Sequence, residues 1–272
     1  MACVAVVQMV STDNVNENLQ ELEQFFINAR ENEAELIALP ENFAFMGRKE
    51  TDKLAIAEEY GQGTIQQLIS DLAKRYGLWV IAGTMPLRAS AQRVKASCLV
   101  YDDHGDCVAQ YNKIHLFDAR ISASESHQES LTIERGKDVV VVDTPIGRVG
   151  LSVCYDLRFP ELFQQLMIKG AEILSVPSAF TAVTGLAHWD ILLRARAIEN
   201  LCYVLAPNQG GSHVNGRNTH GHSMIVEPWG NVLSEHQQGS GIVFADIDLL
   251  RLRALRRDFP CNDHHILHQL SL

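Results

Sequence analysis

Basic residues are scarce in this chain of 272. Lys and Arg number 23 against 33 Asp and Glu, a formal charge of −10. Nucleic acids and anionic membranes require a basic face, so neither is expected as a partner. No uninterrupted apolar run approaches the ~20 residues of a membrane-crossing helix. Met1 to Val10 has no basic start, and Gln8 interrupts it, so it reads as a buried strand and not as a signal peptide. Proline is sparse at 8 residues and low-complexity stretches are absent, which excludes a disordered or collagenous chain. The six cysteines form no CxxC pair, which disfavours a disulfide framework or a thiolate zinc site and fits a reducing cytoplasm. GxSxG, GxGxxG and GxxxxGK[ST] are missing, which removes the nucleophile-elbow, dinucleotide and P-loop readings. Histidines gather at His220 and His222 and at His264, His265 and His268, without an HExxH frame. The first group reads as polar loop contacts and the second as surface tail, with no metal site and no cofactor expected.

What is present is an alternation of strands and helices, the mark of an α/β fold. Strands are expected at Cys3 to Met9, Leu36 to Leu39, Trp79 to Gly83, Val149 to Cys154, Ile173 to Val176 and Cys202 to Ala206. Ser97 to Tyr101 and Cys107 to Asn112 read as one hairpin, and Ser223 to Glu227 opens another, turned at Pro228 to Asn231. Helices are expected at Asn16 to Glu31, with Leu19, Leu22, Phe26 and Ile27 on one stripe, and at Thr64 to Tyr76, with a Thr64–Gln67 capping box. Two more are expected at Pro160 to Lys169 and Trp189 to Asn200. The halves echo in letters: Ala34 to Phe43 reads AELIALPENF and Ala171 to Phe180 reads AEILSVPSAF. This points to an internal duplication whose two sheets pack face to face. The expected architecture is a four-layer α-β-β-α sandwich in one domain, residues 1–272.

Sites in such folds gather beyond the carboxyl ends of strands. Glu41, Lys113 and Cys154 stand at such ends. Between a buried strand and a helix start, Cys154 is placed where a helix dipole and a cation favour a thiolate, a nucleophile able to hold an acyl group. The common alternative for a lone cysteine is a buried structural thiol, the reading for Cys3 and Cys202. A partly buried Glu41 suits general-base work, and a fixed Lys113 ammonium suits a developing oxyanion. Each taken alone also fits an ordinary loop acid or surface lysine.

The chain resembles the nitrilase superfamily of carbon–nitrogen hydrolases. The resemblance runs through LPENF (39–43), NKIHLFD (112–118), CYDLRFPEL (154–162), VPSAF (176–180), TGLAHWDILLRARAIEN (184–200) and GHSMIVEPWG (221–230). It implies a Glu41–Lys113–Cys154 triad and, from HQESL at 127–131, a second glutamate, Glu129. It implies the same sandwich fold and a homodimer or larger assembly. The implied chemistry is amide hydrolysis through a cysteine thioester, with the Tyr155 backbone N–H as an oxyanion donor. Within the superfamily, the 208–223 loop with His213, Arg217 and His220 is similar to the branch acting on deaminated glutathione. The ω-amidase branch, acting on α-ketoglutaramate, shares CYD-x-RF and is the alternative; a catalytically silent scaffold is the remote one. Arg158 is nominated to clamp a substrate carboxylate or else to pair with Glu161. Phe180 and Thr184 are nominated as pocket walls. Arg194 and Arg196 are expected in helix salt bridges or at a dimer face, and the tail from Arg256 to Leu272 in packing or oligomer contacts.

Overall fold

In the computed structural model, residues 1–121 and 125–264 are described. The first half runs β1 (Ala2–Gln8), α1 (Val15–Glu31), β2 (Leu36–Ala38), α2 (Thr64–Tyr76), β3 (Trp79–Ser90), β4 (Arg93–Tyr101) and β5 (Cys107–Asn112). A small hairpin follows, β6 (Asp118–Arg120) and β7 (Ser126–Gln128). The second half runs β8 (Val141–Thr144), β9 (Gly147–Leu151), α3 (Pro160–Ile168), β10 (Ile173–Ser175), α4 (Ala182–Asn200), β11 (Tyr203–Ala206), β12 (Ser223–Val226) and β13 (Val232–His236). The chain closes with β14 (Gly241–Ile247) and α5 (Leu249–Asp258).

The strands form two six-stranded sheets, ordered β14-β1-β2-β3-β4-β5 and β13-β12-β11-β10-β9-β8. The two orders are the same pattern. β1-β2-β3 and β9-β10-β11 are parallel, each flanked by antiparallel strands on both sides. Alternation along the first sheet sorts its faces. Ala5, Val7, Ile37, Leu39, Val80 and Ala82 pack with Leu22 and Phe26 of α1 and Ile69 and Leu72 of α2. Val4, Val6, Leu36, Ala38 and Ile81 pack instead with Leu151, Leu174, Val204 and Met224 of the other sheet. The fold is therefore the α-β-β-α sandwich.

Several local expectations shift. Leu22, Phe25, Phe26 and Ala29 form the buried stripe of α1, while Leu19 and Ile27 are only half-buried. The Thr64–Gln67 box does not form. Gly63 is the N-cap, and Glu58 reaches across to accept from the Ile65 and Gln66 N–H groups at 2.7 and 3.1 Å, placing an anion on the positive helix end. α4 starts seven residues earlier than expected, capped by Thr181, whose hydroxyl accepts from Thr184 N. Its first turns carry Val183, Thr184 and Gly185, poor helix formers that hide the start. Gly185 is held there because a Cβ would lie 2.2 Å from the His220 ring. The strand expected to end at Cys154 ends at Leu151, and Cys154–Arg158 forms a 3-10 turn. No described helix is long and apolar enough to cross a membrane.

Candidate active site

Lys113 follows β5 and is completely buried. Its Nζ donates to Glu41 Oε1 at 2.8 Å and Glu129 Oε1 at 2.9 Å. Burial alone would lower the lysine pKa. Glu129 and Glu41 overcome that and hold it well above its ordinary value, so the ammonium is fixed in its charged form. Glu129 is itself held below the usual carboxylate range. Burial opposes this, but Lys113, Lys53 and a 2.8 Å hydrogen bond from Phe117 N–H prevail.

Two close backbone approaches set these residues. A Cβ at Gly83 would lie 1.9 Å from the Pro40 carbonyl oxygen, and one at Gly136 would lie 1.9 Å from that of Asn112. Only glycine admits the turns carrying Glu41 and Lys113 at these distances. Gly83 also sits where β3 slips register against β4, and the next residue, Thr84, accepts from Asn42 N–H at 3.0 Å. Gln209, fully buried, donates to the Glu41 carbonyl at 3.0 Å and exchanges two bonds with Ser11.

Cys154 opens the 3-10 turn with φ +47°, a left-handed backbone that non-glycine residues adopt at a cost of about 1–3 kcal/mol. Its N–H donates to the Pro177 carbonyl at 2.9 Å, and the Ala179 backbone amide hydrogen-bonds its sulfur. Burial and the Glu41 charge push the thiol well above its ordinary value, against the pull of Lys113. The expectation of a favoured thiolate is thus reversed: α3 begins only at Pro160, too far to act on the sulfur, and desolvation wins. The resting group is a thiol that needs a base. Among the described residues, no acceptor outside its own turn takes the Tyr155 N–H.

Asp156, two residues on, escaped sequence reasoning. Its buried carboxylate accepts four bonds: from Tyr111 Oη (2.6 Å), Val153 N (2.9 Å), His115 N (3.0 Å) and His115 Nδ1 (2.7 Å). It thereby staples the Cys154 turn to the segment bearing Lys113. Arg196, expected at a salt bridge or dimer face, does bond Glu199 but also clamps the Leu157 carbonyl of the same turn, at 2.8 and 3.1 Å.

A cavity of about 530 Å³ opens beside Glu41 and Glu129. Arg158 is not on its walls. It donates to His188 at 3.1 Å and lies over the Tyr155 and Phe180 rings, and among the described residues it forms no pair with Glu161. Phe180 packs on Trp189 and Thr184 joins the Thr181 cap; Ala182 and Val183 line the cavity instead. The 208–223 loop adds Asn215, Arg217 and Asn218. His220 and His222 stack, with His222 on Glu235, as loop contacts. Among the described residues no group of three His, Cys, Asp or Glu is placed to hold a metal ion. Arg194 bonds the Gly230 carbonyl, and Arg256 bonds the Leu201 and Ala171 carbonyls, so the start of the tail packs on the body. His265, His268 and the rest of the tail lie outside the described residues.

Residues 3–257 match the family described as Carbon-nitrogen hydrolase. A Synechocystis protein named deaminated glutathione amidase is 41% identical, covering 96% of this chain and 97% of its own. One of the same name from Yersinia enterocolitica is 42% identical, covering 97% and 93%. Among solved structures, the NitFhit protein of C. elegans superposes with a TM-score of 0.92 at 38% identity, covering all of this chain and 67% of that one.

Proposed function

Because the chain belongs to the carbon–nitrogen hydrolase family, we propose that it is a thiol amidase whose substrate is deaminated glutathione, cleaved to 2-oxoglutarate and Cys-Gly. One observation carries the chemistry: a buried ammonium pinned between Glu41 and Glu129, beside a buried thiol, at the edge of a cavity. The relatives' names carry the substrate.

Glu41 takes the thiol proton as the Cys154 sulfur attacks the amide carbon. The Lys113 ammonium and the Tyr155 N–H receive the oxyanion; losing one such donor costs about 3–4 kcal/mol of barrier. The tetrahedral adduct collapses, the C–N bond breaks, and Glu41 returns its proton to the departing amine of Cys-Gly. A thioester remains. Glu41 then takes a proton from water, which adds to the thioester carbon; the second collapse breaks the C–S bond and releases the acid, and Glu41 returns the proton to the departing Cys154 sulfur, restoring the thiol. Glu129 acts by fixing Lys113, and its charge keeps that ammonium from losing a proton in a dry site.

The unit of action is residues 1–272, and it works as a homodimer or larger assembly. α4 leaves Leu186 and Ile191 exposed and α3 leaves Ile168 exposed, apolar surface that a second copy would cover. The six free cysteines suit a reducing cytoplasm. Sedimentation tests the assembly, with a monomer at micromolar concentration contradicting it. Turnover of deaminated glutathione and α-ketoglutaramate, with Cys154→Ala as the blank, tests the function. The expected result is a kcat/KM preference for deaminated glutathione. A preference for α-ketoglutaramate moves the assignment to ω-amidase, and turnover of neither favours the scaffold.

A further inference from the structure

The cavity wall carries four described carboxylates, Glu41, Glu50, Glu125 and Glu129, and four described cations, Arg48, Lys49, Lys53 and Arg217. The cations differ in what holds them. Arg48 pairs with Asp13 and Lys53 with Glu50, while Lys49 is exposed. The wall carboxylates are likewise engaged: Glu41 and Glu129 on Lys113, Glu50 on Lys53, Glu125 on His127. Arg217 is half-buried, and among the described residues no carboxylate pairs with it. Its Nε is buried without any hydrogen-bond partner. A buried donor left unpaired is costly and uncommon, and on a planar fork built for carboxylates it marks a place where an anion would be satisfied.

The loop holds this side chain in place. Arg217 N–H donates to Asn215 Oδ1, the Arg217 carbonyl accepts from His213 N–H, and Ala182 N–H donates to the Asn218 carbonyl, all at 2.9 Å. Arg217 Nη2 donates to the Ala179 carbonyl. Ala179 is the residue whose amide meets the Cys154 sulfur. One residue, Ala179, therefore bridges the guanidinium and the nucleophile's sulfur, whereas Arg48 and Lys49 are exposed.

We propose that Arg217 is the specificity-determining residue that binds the carboxylate at the acyl end of the substrate, separated from the attacked carbonyl by three carbons. This rests on the amidase reading and takes the role that sequence reasoning gave Arg158. The acyl group stays on Cys154 after the amine leaves, so a clamp on its carboxylate orients both half-reactions. The leaving dipeptide departs past the rim.

The test measures kcat/KM of wild type, R217Q and R217K on deaminated glutathione and α-ketoglutaramate, which share the acyl end. R217Q should lose on the order of 100-fold on both, mostly through KM, with R217K intermediate. Loss on deaminated glutathione alone would place Arg217 on the leaving group and overturn the proposal, as would loss on neither. Alkylation of Cys154 by iodoacetamide is the control for a structural role. A rate within about twofold of wild type is expected in R217Q, and a tenfold change would mean that the nucleophile turn had moved, overturning the proposal. If wild type turns over neither amide, the amidase reading fails, and calorimetric binding of 2-oxoglutarate to C154A and to C154A with R217Q decides the clamp. Affinity at least tenfold weaker in the double variant sustains it, and equal or absent binding overturns it.

Discussion

The two halves of this molecule share a plan and divide the work. In register, Val4 pairs with Leu36 as Val149 pairs with Ile173, and both partners sit at the same place in the repeated segments. That alignment sets Cys154 opposite Met9, Asp156 opposite Ser11, and Glu41 opposite Ser178. After β2, the Leu-Pro-Glu end delivers a carboxylate to Lys113. After β10, the Val-Pro-Ser end delivers backbone: the Pro177 carbonyl anchors the Cys154 N–H, and Ser178 Oγ only caps the Val176 carbonyl. The repeated plan supplies two equivalent strand ends, one in each sheet. The chemistry came from making them unlike, one reacting and one holding. The halves are also cross-braced: Gln209 of the second ties Ser11 and the Glu41 carbonyl of the first, and Asp156 of the second gathers Tyr111 and His115 of the first.

Exchanging the roles at those ends should produce the largest effect. Glu41→Gln removes the base and should lower kcat by about 10³-fold or more, while Ser178→Ala at the matching position should stay within about fivefold. Steady-state kinetics on the pair checks this, and similar losses would mean that the ends are not divided in this way. Next come the braces. Asp156→Asn replaces an acceptor of four donors, two on each oxygen, with a group that must point an N–H₂ at two of them. It should cost about 3 kcal/mol of stability in denaturant melts and lower activity through a misplaced Cys154 turn. Ser11→Ala, whose hydroxyl exchanges neutral bonds, should cost only about 1 kcal/mol.

The smallest expected effect concerns the thiol. Because burial and Glu41 raise its pKa, the thiolate is the minor form at neutral pH and grows as pH rises. Alkylation of Cys154, followed by peptide mapping, should therefore keep accelerating beyond about pH 8.5, where an ordinary thiol levels off. A plateau at neutral pH would mean a preformed thiolate.

Much of the site could be read from the sequence because its members stand in short motifs at strand ends. Glu41, Lys113, Glu129 and Cys154 all converge in this way. Asp156 was missed because an acid two residues past a cysteine reads as an ordinary first-turn residue, and its four partners come from distant segments. The contacts of Arg158 were hidden for the same reason: its motif gave no sign that the 3-10 turn lays it over the Tyr155 and Phe180 rings and against His188. In the framework, strand order followed from alternation and the repeat, but caps did not. Thr64 fitted a local pattern, while Glu58, brought in by tertiary structure, supplied the anion. Gly83 and Gly136 carried no visible signal, since the clash that each avoids exists only after folding.

The central claim is covalent catalysis at Cys154, and peptide mass spectrometry during turnover tests it most directly. Enzyme quenched in acid while hydrolysing deaminated glutathione should carry a 2-oxoglutaryl thioester on the Cys154 peptide and on no other cysteine, and Cys154→Ala should show neither adduct nor turnover. Turnover persisting in Cys154→Ala, or an acyl group on a different cysteine, would contradict the account.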